Sequence, residues 1–270
     1  MGNVAQRPEC GFRQLVAEAN ESPPGVLRFS QVSWRIMSPT IADNLAQLRE
    51  RIAAAAQRAG RRPEEITLIG VSKTHPAEKI REAFQAGLRH FGENRVQEWE
   101  GKRGALADIP ATWHLIGHLQ SNKAARAAKA FTAIDSLDDW TLAQRIAHAV
   151  AEISPAKPMR VLIEVHLGGE ESKSGVAESE LPTLAEKIQQ LELLRLEGLM
   201  CVPPFLEEPE KVRPYFARLR QLRDGLESRL GRRLPVLSMG MSHDFEAAIQ
   251  EGATEIRVGT ALFGTRPPPQ

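Results

Sequence analysis

The sequence predicts an α/β fold, a (β/α)8 TIM barrel that forms a single domain. From Thr40 onward, short apolar runs alternate with helical segments, and this alternation is typical of parallel strands joined by helices. Eight strand candidates occupy about 200 residues, the lower end of the size range for this barrel. The 42% apolar fraction of the 270 residues is sufficient for a large core. An open doubly wound sheet is the alternative architecture.

The first element is an amphipathic helix that begins near Thr40 and ends near Gly60. Its apolar residues recur at helical spacing, at Ile41, Leu45, Leu48, Ile52 and Ala56. Strands are predicted at 66–71, 90–91, 112–116, 131–135, 160–166, 196–200, 235–237 and 255–258. Helices are expected between them at 76–87, 99–107, 121–130, 137–153, 181–191, 210–230 and 244–250.

Composition argues against several classes of partner. The 35 Lys and Arg residues balance 34 Asp and Glu residues, so no net field directs the chain to nucleic acid or membrane. Cys10 and Cys201 cannot form a disulfide framework, which favours a reducing compartment. No run approaches the roughly 18 apolar residues of a membrane span, and no signal peptide pattern is present. We therefore expect a cytoplasmic protein.

Residues 1–38 differ from the rest of the chain. They contain Pro8, Pro23, Pro24 and scattered apolar residues without a sustained period, which predicts disorder or loose packing. Met37 stands just before the first predicted helix, and we hypothesise that translation begins there. An intact mass of the native protein that includes residues 1–36 would contradict this hypothesis. The barrel is expected over 39–266, followed by a tail at 267–270.

Small, polar or cationic residues follow several of the predicted strands. In a (β/α)8 barrel the carboxyl ends of the strands meet at one mouth, where active sites lie. We therefore expect these residues to form the site. They are Ser72-Lys73-Thr74, Gly92-Glu93-Asn94, Gly117-His118, Ser238-Met239-Gly240-Met241-Ser242 and Gly259-Thr260.

Lys73 follows an apolar strand, so its amine is expected at the partly desolvated mouth of the barrel. Burial lowers the pKa of a lysine, and a neutral amine is the form that attacks an aldehyde. Lys73 is therefore a candidate Schiff-base lysine. A lysine in this position is more often a salt-bridged rim residue, so the assignment depends on the rest of the mouth.

A phosphate site is predicted from the segments after the seventh and eighth strands, where such barrels often bind phosphate. Ser242 precedes the helical run 244–250 and is expected as its N-cap, with backbone N–H groups directed outward. Gly259 permits a close approach of the backbone, and Thr260 offers a hydroxyl. The alternative is an ordinary helix cap and a tight turn.

Four further polar residues have weaker signals. Asn94 lies two residues after Gly92 and is equally consistent with a turn residue and with a contact to a cofactor. His114 and His118 are four residues apart, but they lie on a strand and a loop, so the helical spacing of metal ligands does not apply. No metal is expected there. Lys173 is interpreted as a solvated loop lysine.

Together these motifs resemble a known family, the pyridoxal phosphate homeostasis proteins, which are barrel relatives of the N-terminal domain of alanine racemase. The resemblance extends from Ile41 to about Arg266. The motifs that carry it are Val71-Ser72-Lys73-Thr74, Phe91-Gly92-Glu93-Asn94, Trp113-His114-Leu115-Ile116-Gly117-His118-Leu119-Gln120-Ser121-Asn122-Lys123, Ser172-Lys173-Ser174-Gly175, Glu197-Gly198-Leu199-Met200, Ser238-Met239-Gly240-Met241-Ser242 and Arg257-Val258-Gly259-Thr260-Ala261-Leu262-Phe263-Gly264.

The resemblance implies pyridoxal 5'-phosphate as the cofactor, with Lys73 as its Schiff-base lysine and Asn94 near its ring. It implies that Ser242, Gly259 and Thr260 bind the phosphate. Arg257 would face the pyridine nitrogen. An arginine does not readily give up a proton, so the ring would be a poorer electron sink than one paired with Asp.

The expected function is buffering or delivery of the cofactor, without a turnover reaction. PLP-dependent apo-enzymes are candidate recipients of the cofactor. The chain ends soon after the eighth strand, and its one tyrosine, Tyr215, lies in a predicted outer helix. No second domain and no opposing catalytic base are therefore expected, and a monomer is favoured. The alternatives are a single-domain racemase or decarboxylase and a phosphate-sugar enzyme without pyridoxal phosphate.

Overall fold

The fold is a closed barrel of eight parallel strands. The computed structural model describes residues 39–168 and 174–264; the predictions for residues 1–38, Lys173 and 267–270 lie outside these ranges. Each strand pairs with the next along the chain, and β8 pairs with β1. The strands are β1 Thr67–Val71, β2 His90–Glu93, β3 Thr112–Leu115, β4 Ala133–Leu137, β5 Met159–Glu164, β6 Leu194–Met200, β7 Val236–Ser238 and β8 Glu255–Val258. The predicted (β/α)8 barrel is confirmed.

Helices surround the barrel and supply the crossovers that parallel strands require. They are α1 Ile41–Arg58, α2 Ala77–Gln85, α3 Val96–Arg103, α4 Ala124–Ala130, α5 Trp140–Ile153, α6 Leu181–Gln189, α7 Arg213–Leu230, α8 Phe245–Gln250 and α9 Thr260–Phe263. Among the described helices, none is both long and apolar enough to cross a membrane.

The first helix, α1, packs against the last two helices of the chain. The residues of α1 with predicted helical spacing are buried, as expected. The Asn44 side chain donates a hydrogen bond to the carbonyl of Leu262 in α9 at 2.9 Å, and Arg51 pairs with Glu246 in α8 at 2.9 Å. α1 therefore ties the start of the barrel to its last two helices.

Two apolar regions stabilise the fold. The larger one lies between the sheet and the surrounding helices, where Trp99 of α3 stacks on Trp113 of β3 at 3.9 Å between ring centroids. The Trp99 indole also donates to the carbonyl of Ala130 at 2.7 Å. A separate set of buried apolar residues lies inside the barrel and does not join this larger core: Ile69, Val71, Ala133, Leu162 and Met200.

Several predicted boundaries are wrong by a few residues. The fourth strand was predicted at 131–135 and spans Ala133–Leu137, and the next helix begins at Trp140 and not at Leu137. Asp139 explains this start, because its carboxylate accepts a hydrogen bond from the backbone N–H of Leu142 at 2.9 Å and caps the helix. The helix predicted at 210–230 is a short 3-10 turn, Pro209–Val212, followed by α7.

Candidate functional site

The carboxyl ends of β1, β2, β7 and β8 bring the predicted site residues to one mouth of the barrel. Lys73 and Asn94 follow β1 and β2, Ser242 follows β7, and Gly259 and Thr260 follow β8. Because β8 pairs with β1, the lysine lies next to the segment that holds the two predicted phosphate ligands. The order of the strands thus produces the juxtaposition that the sequence predicted.

Lys73 lies in a tight turn after β1 and is half-buried. Ile69 and Val71 are alternate residues of β1 in the barrel interior, and Lys73 is the next residue of this series. The backbone N–H of His75 donates to the carbonyl of Ser72 at 3.1 Å, which closes the turn. Thr74 has a left-handed backbone conformation with φ of 66°. A non-glycine residue in this conformation indicates a turn that its surroundings hold in place.

A buried ionic network lies beneath this turn. The Ser72 hydroxyl donates to Oε1 of Glu93 at 2.7 Å, and Lys102 Nζ lies 3.2 Å from the same carboxylate and 2.6 Å from Glu98. Lys102 also donates to the Ser72 carbonyl at 3.1 Å, and Glu98 accepts from the Thr74 N–H at 2.5 Å. Burial raises the pKa of Glu93, and the Lys102 charge opposes that shift. α3 therefore fixes the backbone on both sides of Lys73.

The predicted phosphate-binding residues are in contact with one another. Ser242 Oγ accepts hydrogen bonds from the backbone N–H groups of Gly259 at 3.3 Å and Ala261 at 3.5 Å. Thr260 is exposed and begins α9. The Ser242 hydroxyl thus meets the backbone N–H groups of the turn after β8, which also carries the Thr260 hydroxyl, and such groups can donate to a phosphate.

The prediction that Ser242 caps α8 is wrong. α8 begins at Phe245, and the loop before it is held by Asp244, which accepts from the Met241 N–H at 2.6 Å. Ser242 is instead directed to the turn after β8. Gly240 permits this path, because its φ is +92° and a Cβ there would lie 2.6 Å from the Cβ of Ala248.

Arg257 is buried inside the barrel, with an exposed fraction of 3%. Its guanidinium donates to the Ser238 hydroxyl and to the Cys201 carbonyl, each at 2.8 Å. The group is therefore a fixed cation beneath the mouth. Burial raises the pKa of the Cys201 thiol to about 12, so this cysteine is not a reactive thiolate at neutral pH.

Asn94 is half-buried and packs closely against the turn after β3. A Cβ at Gly117 would lie 2.4 Å from the Asn94 carbonyl oxygen and 2.9 Å from its Cα, so only glycine fits at position 117. Gly117 thus fixes the backbone of Asn94 at the mouth. Whether Asn94 contacts a cofactor stays a prediction.

Two carboxylates at the mouth were missed in the sequence. Glu164, at the end of β5, is 4% exposed, and Asp138 lies just after β4. Burial raises the pKa of both carboxyl groups. The sequence contained a signal for Glu164. It alternates with Leu162 and Arg160 along a predicted strand, and alternate residues of a strand share a face.

The interior of the barrel contains a second polar cluster, toward the amino ends of the strands. Nitrogen and oxygen atoms of His114, Asp135 and Glu255 lie within 4.8 Å of one another, a grouping suited to a metal. The Arg160 guanidinium already bonds to all three, at 3.0, 3.3 and 2.7 Å respectively. His118 lies apart from this cluster, 3.2 Å from Asp138. The two histidines therefore do not form one site.

The sequence matches the family described as alanine racemase, N-terminal domain, over residues 44–267. A pyridoxal phosphate homeostasis protein from Pseudomonas aeruginosa is 51% identical over 229 residues, which cover 84% of this chain and 96% of that protein. One from Aquifex aeolicus is 48% identical over 224 residues, covering 83% of this chain and 97% of that protein.

Solved structures agree with these relationships. The structure of PipY from Synechococcus elongatus with PLP bound is 40% identical, has a TM-score of 0.74, and is matched over 83% of this chain and 100% of that one. An alanine racemase from Clostridium difficile shares only the fold, with 18% identity, a TM-score of 0.65, and coverage of 84% of this chain and 58% of that one. This chain belongs to the alanine racemase N-terminal domain family and, within it, to the pyridoxal phosphate homeostasis proteins.

Proposed function

We propose that this protein binds pyridoxal 5'-phosphate on Lys73 as a Schiff base and acts in intracellular homeostasis of that cofactor, by buffering or delivery. The observation that carries the proposal is the position of Lys73 beside the Ser242–Gly259 contact, at adjacent strand ends of one barrel mouth. A cofactor with an aldehyde and a phosphate needs these two features side by side.

The residues present fit the cofactor. Lys73 supplies an amine in a turn fixed from both sides by Lys102 and Glu98. Ser242, Gly259 and Thr260 supply hydroxyl and backbone N–H groups for a phosphate. When bound, the cofactor supplies a carbonyl for amines and a ring that can withdraw electrons.

Arg257 supports binding without turnover. Its guanidinium is fixed by Ser238 and the Cys201 carbonyl, and the nitrogens of a guanidinium are hydrogen-bond donors only. A pyridine nitrogen facing it receives no proton, so the ring stabilises a carbanion poorly. The close relatives are likewise named homeostasis proteins, and the chain covers 96% and 97% of two of them.

An absorption spectrum tests the proposal. We expect the purified protein, or the apo-protein mixed with cofactor, to show a visible Schiff-base band that borohydride abolishes, with the reduced label on Lys73. Lys73→Arg keeps the charge and should lose the band, whereas Lys129→Arg, an exposed position on α4, should keep it. A colourless wild-type protein, or a label on another lysine, contradicts the assignment.

A second candidate function is amino-acid racemisation or decarboxylation. The observation in its favour is His118, which lies at the mouth with Nδ1 3.2 Å from Asp138 and is a group able to transfer protons. Incubation of the loaded protein with L- and D-amino acids distinguishes the two functions. Multi-turnover conversion that is lost in His118→Gln would establish an enzyme.

A further inference from the structure

Glu164 carries an unsatisfied carboxylate oxygen deep in the mouth. Leu162, two residues earlier on β5, lies in the barrel interior, so Glu164 faces the interior as well. Its Oε1 accepts a hydrogen bond from the Ser174 hydroxyl at 3.0 Å. Its Oε2 has no hydrogen-bond partner among the described residues, although the side chain is 4% exposed.

Asp138 is its neighbour at the same mouth. Oδ2 of Asp138 lies 3.2 Å from His118 Nδ1, while Oδ1 is buried without a hydrogen-bond partner in the described parts of the chain. The pKa of Glu164 is raised by burial and by the charge of Asp138, and lowered by Ser174, Arg257 and His118. Leu137 of β4 pairs with Ile163 of β5, so Asp138 and Glu164, the next residue along each chain segment, are neighbours at the mouth.

Two buried acceptors without donors indicate a ligand that brings N–H groups and positive charge. An unsatisfied buried carboxylate oxygen is costly, and an ammonium group has three N–H donors, enough for both oxygens. An anion would be repelled by both groups. Calcium requires six to eight oxygen ligands and magnesium near-octahedral coordination, which two single oxygens do not provide.

We propose that Glu164 and Asp138 form a subsite for the ammonium group of a small primary amine. Arg257 is buried inside the same barrel, and by the proposed function it lies beside the cofactor ring. An amine held there is within the same mouth as Lys73. Only the position of the subsite beside a cofactor rests on the proposed function, because Lys73 and Arg257 are assigned to the cofactor there. The binding of the amine itself does not.

The test measures binding to cofactor-free protein, by NMR titration with ethylammonium. We expect saturable binding to the wild type. Glu164→Gln and Asp138→Asn should each weaken it by about tenfold or more, because each removes a charged acceptor. Glu192→Gln is the matched control, since Glu192 is exposed at the opposite end of the barrel, just before β6. Tetramethylammonium, which has no N–H group, should bind more weakly than ethylammonium.

Each outcome decides the proposal. Absence of ethylammonium binding to the wild type overturns it. It is also overturned if both variants bind as tightly as the wild type, or if Glu192→Gln loses as much affinity as they do. If Glu164→Gln does not fold, Asp138→Asn and the tetramethylammonium comparison still decide. Nα-acetyllysine amide is a second probe, which presents the ammonium group of a lysine side chain. Stronger binding of this probe than of ethylammonium would overturn the assignment to a small amine and indicate a lysine of a protein as the ligand.

Failure here is distinguishable from failure of the proposed function. A protein that forms the visible band on Lys73 but does not bind ethylammonium retains its cofactor role and lacks the subsite. A protein that binds ethylammonium through Glu164 and never forms the band has the subsite without that role.

Discussion

Charged side chains inside this barrel stabilise it only in matched sets. Arg160 is 12% exposed and contacts Asp135, Glu197 and Glu255, while Lys102 compensates Glu93 beneath the Lys73 turn. Removing one member of a buried set is costly, because the remaining charge has neither water nor a partner. The free energy of unfolding is therefore strongly sensitive to substitutions at these positions.

Lys102→Met should destabilise the protein by about 3 to 5 kcal/mol at pH 8, because it leaves the Glu93 carboxylate buried without a cation. Burial already raises the pKa of Glu93 above its unfolded value, and loss of Lys102 raises it further. The folded state then binds a proton more tightly than the unfolded state, so the variant should regain stability as the pH falls.

Urea unfolding of Lys102→Met at several pH values measures this effect. The double variant Lys102→Met/Glu93→Gln should recover part of the loss, and Lys129→Met, at an exposed position on α4, should change little. A loss in Lys102→Met that is the same at acidic and basic pH would show that lost packing, and not the carboxylate, is responsible.

His90 provides the opposite pH dependence. Burial, with the charges of His114 and Arg160, lowers its pKa from 6.5 to about 4. The unfolded state therefore binds the proton more tightly, and the His90 contribution to stability is lost as the pH falls from 6.5 toward 4. His90→Asn should flatten the stability profile in this window relative to the wild type.

The control for His90 is His148→Asn, because the side chain of His148 is 80% exposed on α5. It should leave the profile unchanged. Equal slopes for the wild type and His90→Asn between these pH values would mean that His90 titrates normally in the folded protein.

At the scale of elements, the loop between β7 and α8 determines whether Ser242 reaches the turn after β8. Gly240 has φ of +92°, and a Cβ there would meet the Cβ of Ala248 at 2.6 Å and the Cα of Phe245 at 2.9 Å. A side chain at position 240 must therefore displace either α8 or the loop that carries Ser242.

Gly240→Ala should weaken cofactor binding by about tenfold or more, because displaced hydroxyl and N–H donors lose charge-assisted bonds to the phosphate. Gly231→Ala is a matched control: its φ is +64°, but a Cβ there has nothing within 4 Å. It should cost about 1 kcal/mol of stability and leave affinity intact. Titration of both apo-proteins with cofactor, followed by the visible band, checks this; equal affinities would contradict it.

Element boundaries also show what the sequence could predict. Regular apolar spacing predicted α1 and its buried face correctly, because one face of the helix packs against the barrel. The start of β4 was placed two residues early, since Phe131 is buried and apolar although it lies before the strand. Ser242 was assigned to the wrong helix, because its partners Gly259 and Ala261 are distant in sequence. Local patterns do not contain such contacts.

At the scale of the whole molecule, the closed barrel could be predicted from the sequence, but the side-chain contacts inside it could not. The count of strand and helix units predicted the closed barrel, and the strand ends predicted Lys73 beside the segment after β8. The pairing of Arg160 with Asp135, Glu197 and Glu255 depends on strand order and stagger around the barrel. The same holds for Glu164 and Asp138, whose proximity arises only after β4 and β5 pair.

Closure also predicts that the barrel unfolds as one cooperative unit. α1 packs against the last two helices through Asn44 and Arg51, whereas Trp99, Trp113 and Trp140 report on the region from α3 to α5. Leu48→Ala in α1, at a residue 2% exposed, should cost about 2 to 5 kcal/mol through the cavity it leaves. Because the strands form one closed barrel, we expect this loss of stability to affect the unfolding of the whole barrel.

Urea unfolding followed by both far-UV circular dichroism and tryptophan fluorescence measures this coupling. In Leu48→Ala the two midpoints should shift together and remain coincident, as a two-state transition requires. Ile153→Ala, at the 41% exposed end of α5, should shift neither midpoint by much. If circular dichroism moved in Leu48→Ala while the fluorescence midpoint stayed in place, α1 would unfold separately. The closed barrel from β1 to β8 would then be stable without α1.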